Sequence, residues 1–132
     1  MMFTGVPNMA WIFGYFRAAS WTLRVDMVAD FVCRLLNHMA ARDVERVEVA
    51  LRPEDADMAL LPWIDDEVFN PGYLMRGMHL LPKRGAKPEW AHSQDYWWER
   101  DVLPKVDLDD PAFVYSGKRA TRLPTSVAAG AG

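Results

Sequence analysis

The chain has 132 residues, of which 51% are apolar and 12% aromatic, with a formal net charge of −3. That is one modest domain, too rich in core-forming side chains to stay disordered and too evenly charged to expect nucleic acid or an anionic membrane as partner. No apolar run reaches the roughly 18 residues of a membrane-spanning helix, the first residues carry no basic leader, and the single cysteine, Cys33, excludes an internal disulfide, so a cytoplasmic setting is expected.

In chain order, Met9-Ala-Trp-Ile-Phe-Gly14 is a near-continuous apolar run, which suits a strand covered on both faces as in a parallel α/β sheet. Gly14 would end it, since glycine allows a sharp exit or the close approach of a ligand. From Trp21 to about Arg42, Val28, Phe31, Val32, Leu35, Leu36 and Met39 recur at helical spacing. This predicts an amphipathic helix roughly 30 Å long, with Arg24, Asp30, Arg34 and Asn37 on its other faces and an Asp30–Arg34 pair one turn apart. Ser20 or Thr22 would cap its start. Val47-Glu-Val49-Ala-Leu51 alternates and reads as a half-buried or edge strand.

From Pro53 onward the texture changes, with prolines at 53, 62, 71, 82, 88, 104 and 111 limiting regular structure. Short helices are expected over residues 53–60, 72–80 and 94–100. The stretch 86–115, with Trp90, Tyr96, Trp97 and Trp98, is too aromatic for a linker and should wrap a core, dropping its rings into surface pockets. Residues 116–132 should form a disordered tail.

Chemical motifs are sparse. The glycines assemble neither G-x-G-x-x-G nor G-x-x-x-x-G-K-[ST], so the chain has no recognisable pyrophosphate cradle. His38, His79 and His92 lack metal-ligand spacing, and no metal is expected. The acids at 54, 55, 57, 65, 66 and 67 read as solvated helix starts. Cys33 is expected to be a buried, inert thiol. Ser20 and Ser93 sit in no nucleophile motif, and no catalytic residue is assigned. What remains is the crossing from Gly14 to Thr22. On the residues alone, two readings of it stay open: an ordinary capped helix start, or a helix N-terminus set against an anion or an electron-rich ring edge.

Longer stretches carry a resemblance. Met1-Met-Phe-Thr-Gly-Val-Pro-Asn-Met-Ala-Trp-Ile-Phe-Gly-Tyr-Phe-Arg17, Ser20-Trp-Thr-Leu-Arg24 and Val32-Cys-Arg-Leu-Leu-Asn-His-Met39 resemble the C-terminal part of bacterial FAD- and NADPH-dependent monooxygenases, of the flavin-containing and Baeyer–Villiger type. So do Phe69-Asn-Pro-Gly-Tyr-Leu-Met75, Leu80-Leu-Pro-Lys83 and His92-Ser-Gln-Asp-Tyr-Trp97. The resemblance spans residues 1–115 and leaves out 116–132. It implies an α/β fold: residues 1–52 would be the last part of a Rossmann-like FAD domain (strand, long helix, strand), and 53–115 an irregular, short-helix, Pro- and Trp-rich extension. Both dinucleotide fingerprints are missing, and Phe3-Thr-Gly5 is followed by Met9 where the family's F-x-G-x-x-x-H motif has histidine. Met1 would then be an internal residue of a longer parent.

In the parent, NADPH would reduce FAD, and the reduced flavin would oxygenate a ketone or a soft heteroatom. The resemblance implies that Gly14, Ser20, Trp21 and Thr22 face the FAD, and that Tyr15, Phe16 and Arg17 shape the substrate pocket. The chain alone would be inactive and hold neither cofactor tightly, its partner being the rest of the parent. Two other readings are a non-catalytic module pairing with a separate fingerprint-bearing chain, and a free-standing small domain if Trp63, Trp90 and Trp97 fold back over the long helix.

Overall fold

A computed structural model describes residues 2–16 and 20–118; Met1, Arg17 and the tail from 119 onward lie outside the described residues. Helix α1 runs from Trp21 to Ala41, close to the predicted span. Ser20 caps it, its hydroxyl accepting from the Thr22 N–H at 3.3 Å. The helix ends because Asp43 takes a left-handed backbone (φ 55°), a conformation that short polar residues tolerate, while the Arg42 N–H closes on the His38 carbonyl.

The buried stripe of α1 is Arg24, Val28, Phe31, Leu35 and Met39. Phe31, Leu35 and Met39 form the core with Val47 and Leu108, flanked by Val44, Val106, Phe113 and Tyr115. Strand β1 (Arg46–Val49) pairs antiparallel with β4 (Phe113–Ser116), Val47 opposite Tyr115 and Val49 opposite Phe113. A second antiparallel pair joins β2 (Leu60–Pro62) to β3 (Lys83–Gly85). Helices α2 (Gly72–Gly77) and α3 (Tyr96–Val102) are short, and single turns of tighter helix occupy Pro53–Asp55, Met78–Leu80, Pro88–Trp90 and Leu103–Lys105. The protein is thus mixed helix and strand.

Several expectations change. Residues 9–14 form no strand: among the described residues no neighbouring strand supplies ladder partners, and Met9, Ala10 and Ile12 are exposed instead of covered. The N-terminal stretch meets β1 earlier, through a parallel bridge from Thr4 to Val49. Asn8 then seals the β1 edge: its N–H donates to the Val47 carbonyl, its side-chain oxygen accepts from the Val47 N–H at 2.9 Å, and its amide donates to Glu45. The tail expectation gives way at its start, because Ser116 pairs with Arg46 in β4; residues 119–132 lie outside the description.

Cys33 is exposed, since it sits off the stripe that Phe31 and Leu35 define. Trp97 and Trp98 are exposed as well, Arg100 lying over the Trp97 ring at 4.7 Å. Trp63 is buried, but against Trp11 and Phe13. No ion pair joins Asp30 to Arg34 among the described residues. Arg34 donates instead to the Leu103 and Val106 carbonyls, both at 2.9 Å, which ties α1 to the turn after α3.

Asp55 is no solvated helix start. It is fully buried and accepts from Lys87, from the Trp90 indole N–H at 2.8 Å and from Arg52 at 2.9 Å. The Lys87 ammonium, ahead of Trp90 and Arg52, holds its carboxyl at about 2 against the opposing push of burial. This hub pins the turn at Pro53–Asp55 to the turn at Pro88–Trp90.

Candidate functional site

The stretch from Phe13 to Phe16 is fixed by side chains from α1 and from residues 92–99. Its key is Arg24, which is 4% exposed although it is an arginine on a helix. The spacing 24, 28, 31, 35, 39 puts it on the buried stripe, so it must be neutralised there. It donates to the Phe13 carbonyl at 2.8 Å and to the Ser93 carbonyl at 3.0 Å, and forms an ion pair with Glu99. Glu99, equally buried on α3, also accepts from the Tyr15 hydroxyl, and the guanidinium lies 5.0 Å from the Tyr15 ring centre. Burial, then the Glu99 carboxylate, pushes the Tyr15 phenol up, so it stays a neutral donor.

Gln94 replaces the missing strand neighbour. Its side-chain oxygen accepts from the Phe16 N–H at 2.7 Å, and its amide reaches the Gly14 carbonyl at 3.3 Å. An aromatic cluster backs the segment: Trp63 stacks on Trp11 at 5.4 Å and on His92 at 4.8 Å, with Phe13 edge-on at 4.7 Å. Phe16 stacks on Phe69 at 4.3 Å, and both rings line a cavity of about 210 Å³.

Each predicted site residue can now be placed. Gly14 lies against the start of α1, where a Cβ would come within 2.5 Å of the Trp21 Cβ and 3.2 Å of its Cα. Gly14→Ala is therefore expected to push the helix start away and cost about 1–3 kcal/mol, as overpacking does; urea denaturation checks it. Ser20, Trp21 and Thr22 are all exposed at the helix N-terminus, Trp21 by 60%. Tyr15 is buried, Phe16 half-buried, and Arg17 lies outside the described residues. Sequence reasoning gave no role to Arg24, Glu99, His92 and Gln94. The sequence had put Arg24 on the other faces of the helix, whereas its place four residues before Val28 sets it on the buried stripe.

His92 is held neutral. Burial first, then the Arg24 charge, depresses its pKa to about 3. Below pH ~6.5 an unfolded histidine takes up a proton that the folded one refuses. Stability conferred by the neutral ring is therefore complete above about pH 6.5 and lost progressively as pH falls toward 3. Asp55 adds a second loss as pH drops from ~4 toward 2. Urea midpoints should fall from about pH 7 to about pH 4, and His92→Phe should flatten that slope.

Among the described residues, no group of three or more His, Cys, Asp or Glu side chains is arranged to hold a metal ion, and no helix is long and apolar enough to cross a membrane.

Known proteins match the same stretch. The chain is 42% identical over 120 residues to the FAD-containing monooxygenase EthA of Mycolicibacterium smegmatis, covering 91% of this chain and 23% of that protein. It is 38% identical over 120 residues to EthA of Mycobacterium tuberculosis, again covering 91% of this chain and 23% of the relative. The chain is a homologue of the FAD-containing monooxygenases. A probable FAD-binding monooxygenase, AlmA of Acinetobacter baylyi, matches at 35% over 121 residues, 92% of this chain and 23% of the relative. The chain thus spans about a quarter of the length of these monooxygenases. No family model matches it, and no solved structure does.

Toward a flavin these residues would offer one edge, and no site for a whole dinucleotide. The first turn of α1 carries no acidic residue, so its positive end is not offset there, although Ser20 already takes the Thr22 and Leu23 N–H groups with its hydroxyl and carbonyl. Gly14 gives the backbone its close approach to that turn. Nothing in the glycine pattern offers a pyrophosphate loop.

Proposed function

We propose that the chain is the C-terminal segment of an NADPH-driven flavin monooxygenase that oxygenates ketones or soft heteroatoms, and that it builds one wall of the FAD pocket. The observation that carries this reading is the 42% identity to an FAD-containing monooxygenase across 91% of the chain. In this reading residues 1–52 complete the Rossmann-like FAD domain, and residues 53–115 form an extension that wraps it. FAD, when bound, would carry electrons from NADPH to oxygen.

The chain's own residues bind and position. Gly14 and the exposed turn at Ser20, Trp21 and Thr22 would meet the flavin. Phe16 and Arg17 would line the substrate side. Tyr15, turned inward onto Glu99, would set the position of that loop. The cofactor's phosphates and the NADPH would be held by residues beyond this segment, in the cytoplasm.

The test is a chimera in which these residues replace the matching segment of the Mycolicibacterium smegmatis relative. It should purify with FAD and oxidise NADPH, whereas residues 1–132 alone should do neither; NADPH-dependent oxygen uptake by the isolated chain, or a folded chimera without flavin, would refute the proposal. A second reading, a non-catalytic module that pairs with a separate fingerprint-bearing chain, is favoured by the exposed Met9, Ile12 and Trp21. It requires that the chain restore flavin binding when supplied in trans.

A further inference from the structure

Gln94 precedes α3, and its backbone is tied down on both sides. The Ser93 carbonyl before it accepts from Arg24 on α1 at 3.0 Å, and the Ser93 hydroxyl accepts from the Asp95 N–H at 3.1 Å. Asp95 in turn caps α3, its carboxylate accepting from the Trp98 N–H at 3.1 Å. The Gln94 side chain therefore starts from a mount anchored to two helices.

Its amide grips the stretch before α1 twice, taking the Phe16 N–H at 2.7 Å and the Gly14 carbonyl at 3.3 Å. A carbonyl one residue before Tyr15 and an N–H one residue after it are the two groups that a single residue of a parallel strand would engage. The amide has one orientation. Its nitrogen also lies 3.4 Å from the Ser93 carbonyl, so a flip would set oxygen against two carbonyls and the NH2 group against the Phe16 N–H.

The two gripped groups belong to residues with different surroundings. Gly14 lies against Trp21 at the start of α1, while the Phe16 ring stacks on Phe69 at the wall of the 210 Å³ cavity. In the flavin reading the first faces the cofactor and the second the substrate. Arg24 and Glu99 hold other atoms, the Phe13 carbonyl and the Tyr15 hydroxyl. Gln94 bonds to both sides of Tyr15 at once.

We propose that Gln94 is a positioning residue for the flavin site: its amide fixes the backbone from Gly14 to Phe16, so that the cofactor-facing and substrate-facing residues keep one spacing. It acts through that backbone, and it brings a residue of the extension into the site. The inference rests on the flavin reading.

The test compares Gln94→Met, which keeps the length and loses both bonds, with Gln94→Glu, which keeps the acceptor for Phe16 and loses the donor to Gly14. In the 132-residue chain, the Phe16 N–H of Gln94→Met should exchange about three- to tenfold faster, the worth of one net hydrogen bond, and that of Gln94→Glu should change less. In the chimera with the Mycolicibacterium smegmatis relative, Gln94→Met should bind FAD about three- to tenfold more weakly and alter the visible circular dichroism of the bound flavin. Gln94→Glu should lie between, and the KM for NADPH should stay unchanged. A merely structural loss would lower the urea midpoint and leave the dichroism of the flavin that stays bound as it was. The proposal is overturned if Phe16 exchanges alike with Gln and Met at position 94, or if the Gln94→Met chimera keeps its FAD affinity and dichroism. Gln94→Glu carries the same comparison where Gln94→Met does not fold. An unsubstituted chimera that folds without flavin refutes the flavin reading and this inference with it, whereas one that holds FAD beside an unaltered Gln94→Met form refutes this inference alone.

Discussion

Glu99→Leu is expected to lower stability by about 3–5 kcal/mol, because it leaves the Arg24 guanidinium buried and unpaired. Both residues are 4% exposed, so water cannot take over the lost charge. The Tyr15 hydroxyl loses its acceptor in the same step. Arg24→Met alone should cost a similar amount by stranding the Glu99 carboxylate and the Phe13 and Ser93 carbonyls. The double variant should be far less destabilised than the sum of the two, since it removes both charges together. Urea denaturation of the four proteins measures the coupling. A sum that is simply additive would mean that the pair carries no interaction energy of its own.

Trp63→Ala comes next, with an expected cost of about 3–5 kcal/mol, the range for deleting a buried aromatic ring. Trp63 is 6% exposed and touches Trp11, Phe13 and His92 at once, so its removal opens a hole that three rings line. The effect should be wider than stability. Phe13 and His92 flank the segment that Arg24 and Gln94 hold, and hydrogen exchange at Tyr15 and Phe16 should accelerate in the variant. Trp63→Phe should recover part of the loss, because it keeps a ring in the stack.

Local signals were readable in the sequence and distant partners were not. Helix α1 was legible because its 21 residues repeat one pattern and Ser20 caps it, both properties of the stretch itself. Strand β1 was legible from alternation, but its partner β4 was not, because their pairing joins residues 46–49 to 113–116 and no local pattern encodes that distance. The run 9–14 has the composition of a buried strand, yet strand pairing needs a neighbour, and here two side chains, Arg24 and Gln94, take the carbonyls of Phe13 and Gly14 instead. Asp55 looked like one of several solvated acids, and only the fold brings Lys87, Trp90 and Arg52 to it. Of the site, Gly14, Ser20 and Thr22 could be named from backbone chemistry. Arg24, Glu99 and His92 could not, because their roles exist only where α1 and α3 meet.

Thr4 bridges to Val49 on one edge of β1, and Val49 pairs with Phe113 on the other. Two strand spacings separate them, so the chain enters and leaves residues 4–113 at points about 10 Å apart. A unit whose two joints lie together can be grafted into a loop of a host protein without stretching that host. Residues 4–113 are in that sense a cassette, with Gly14 and Trp21 on the face that the cassette carries.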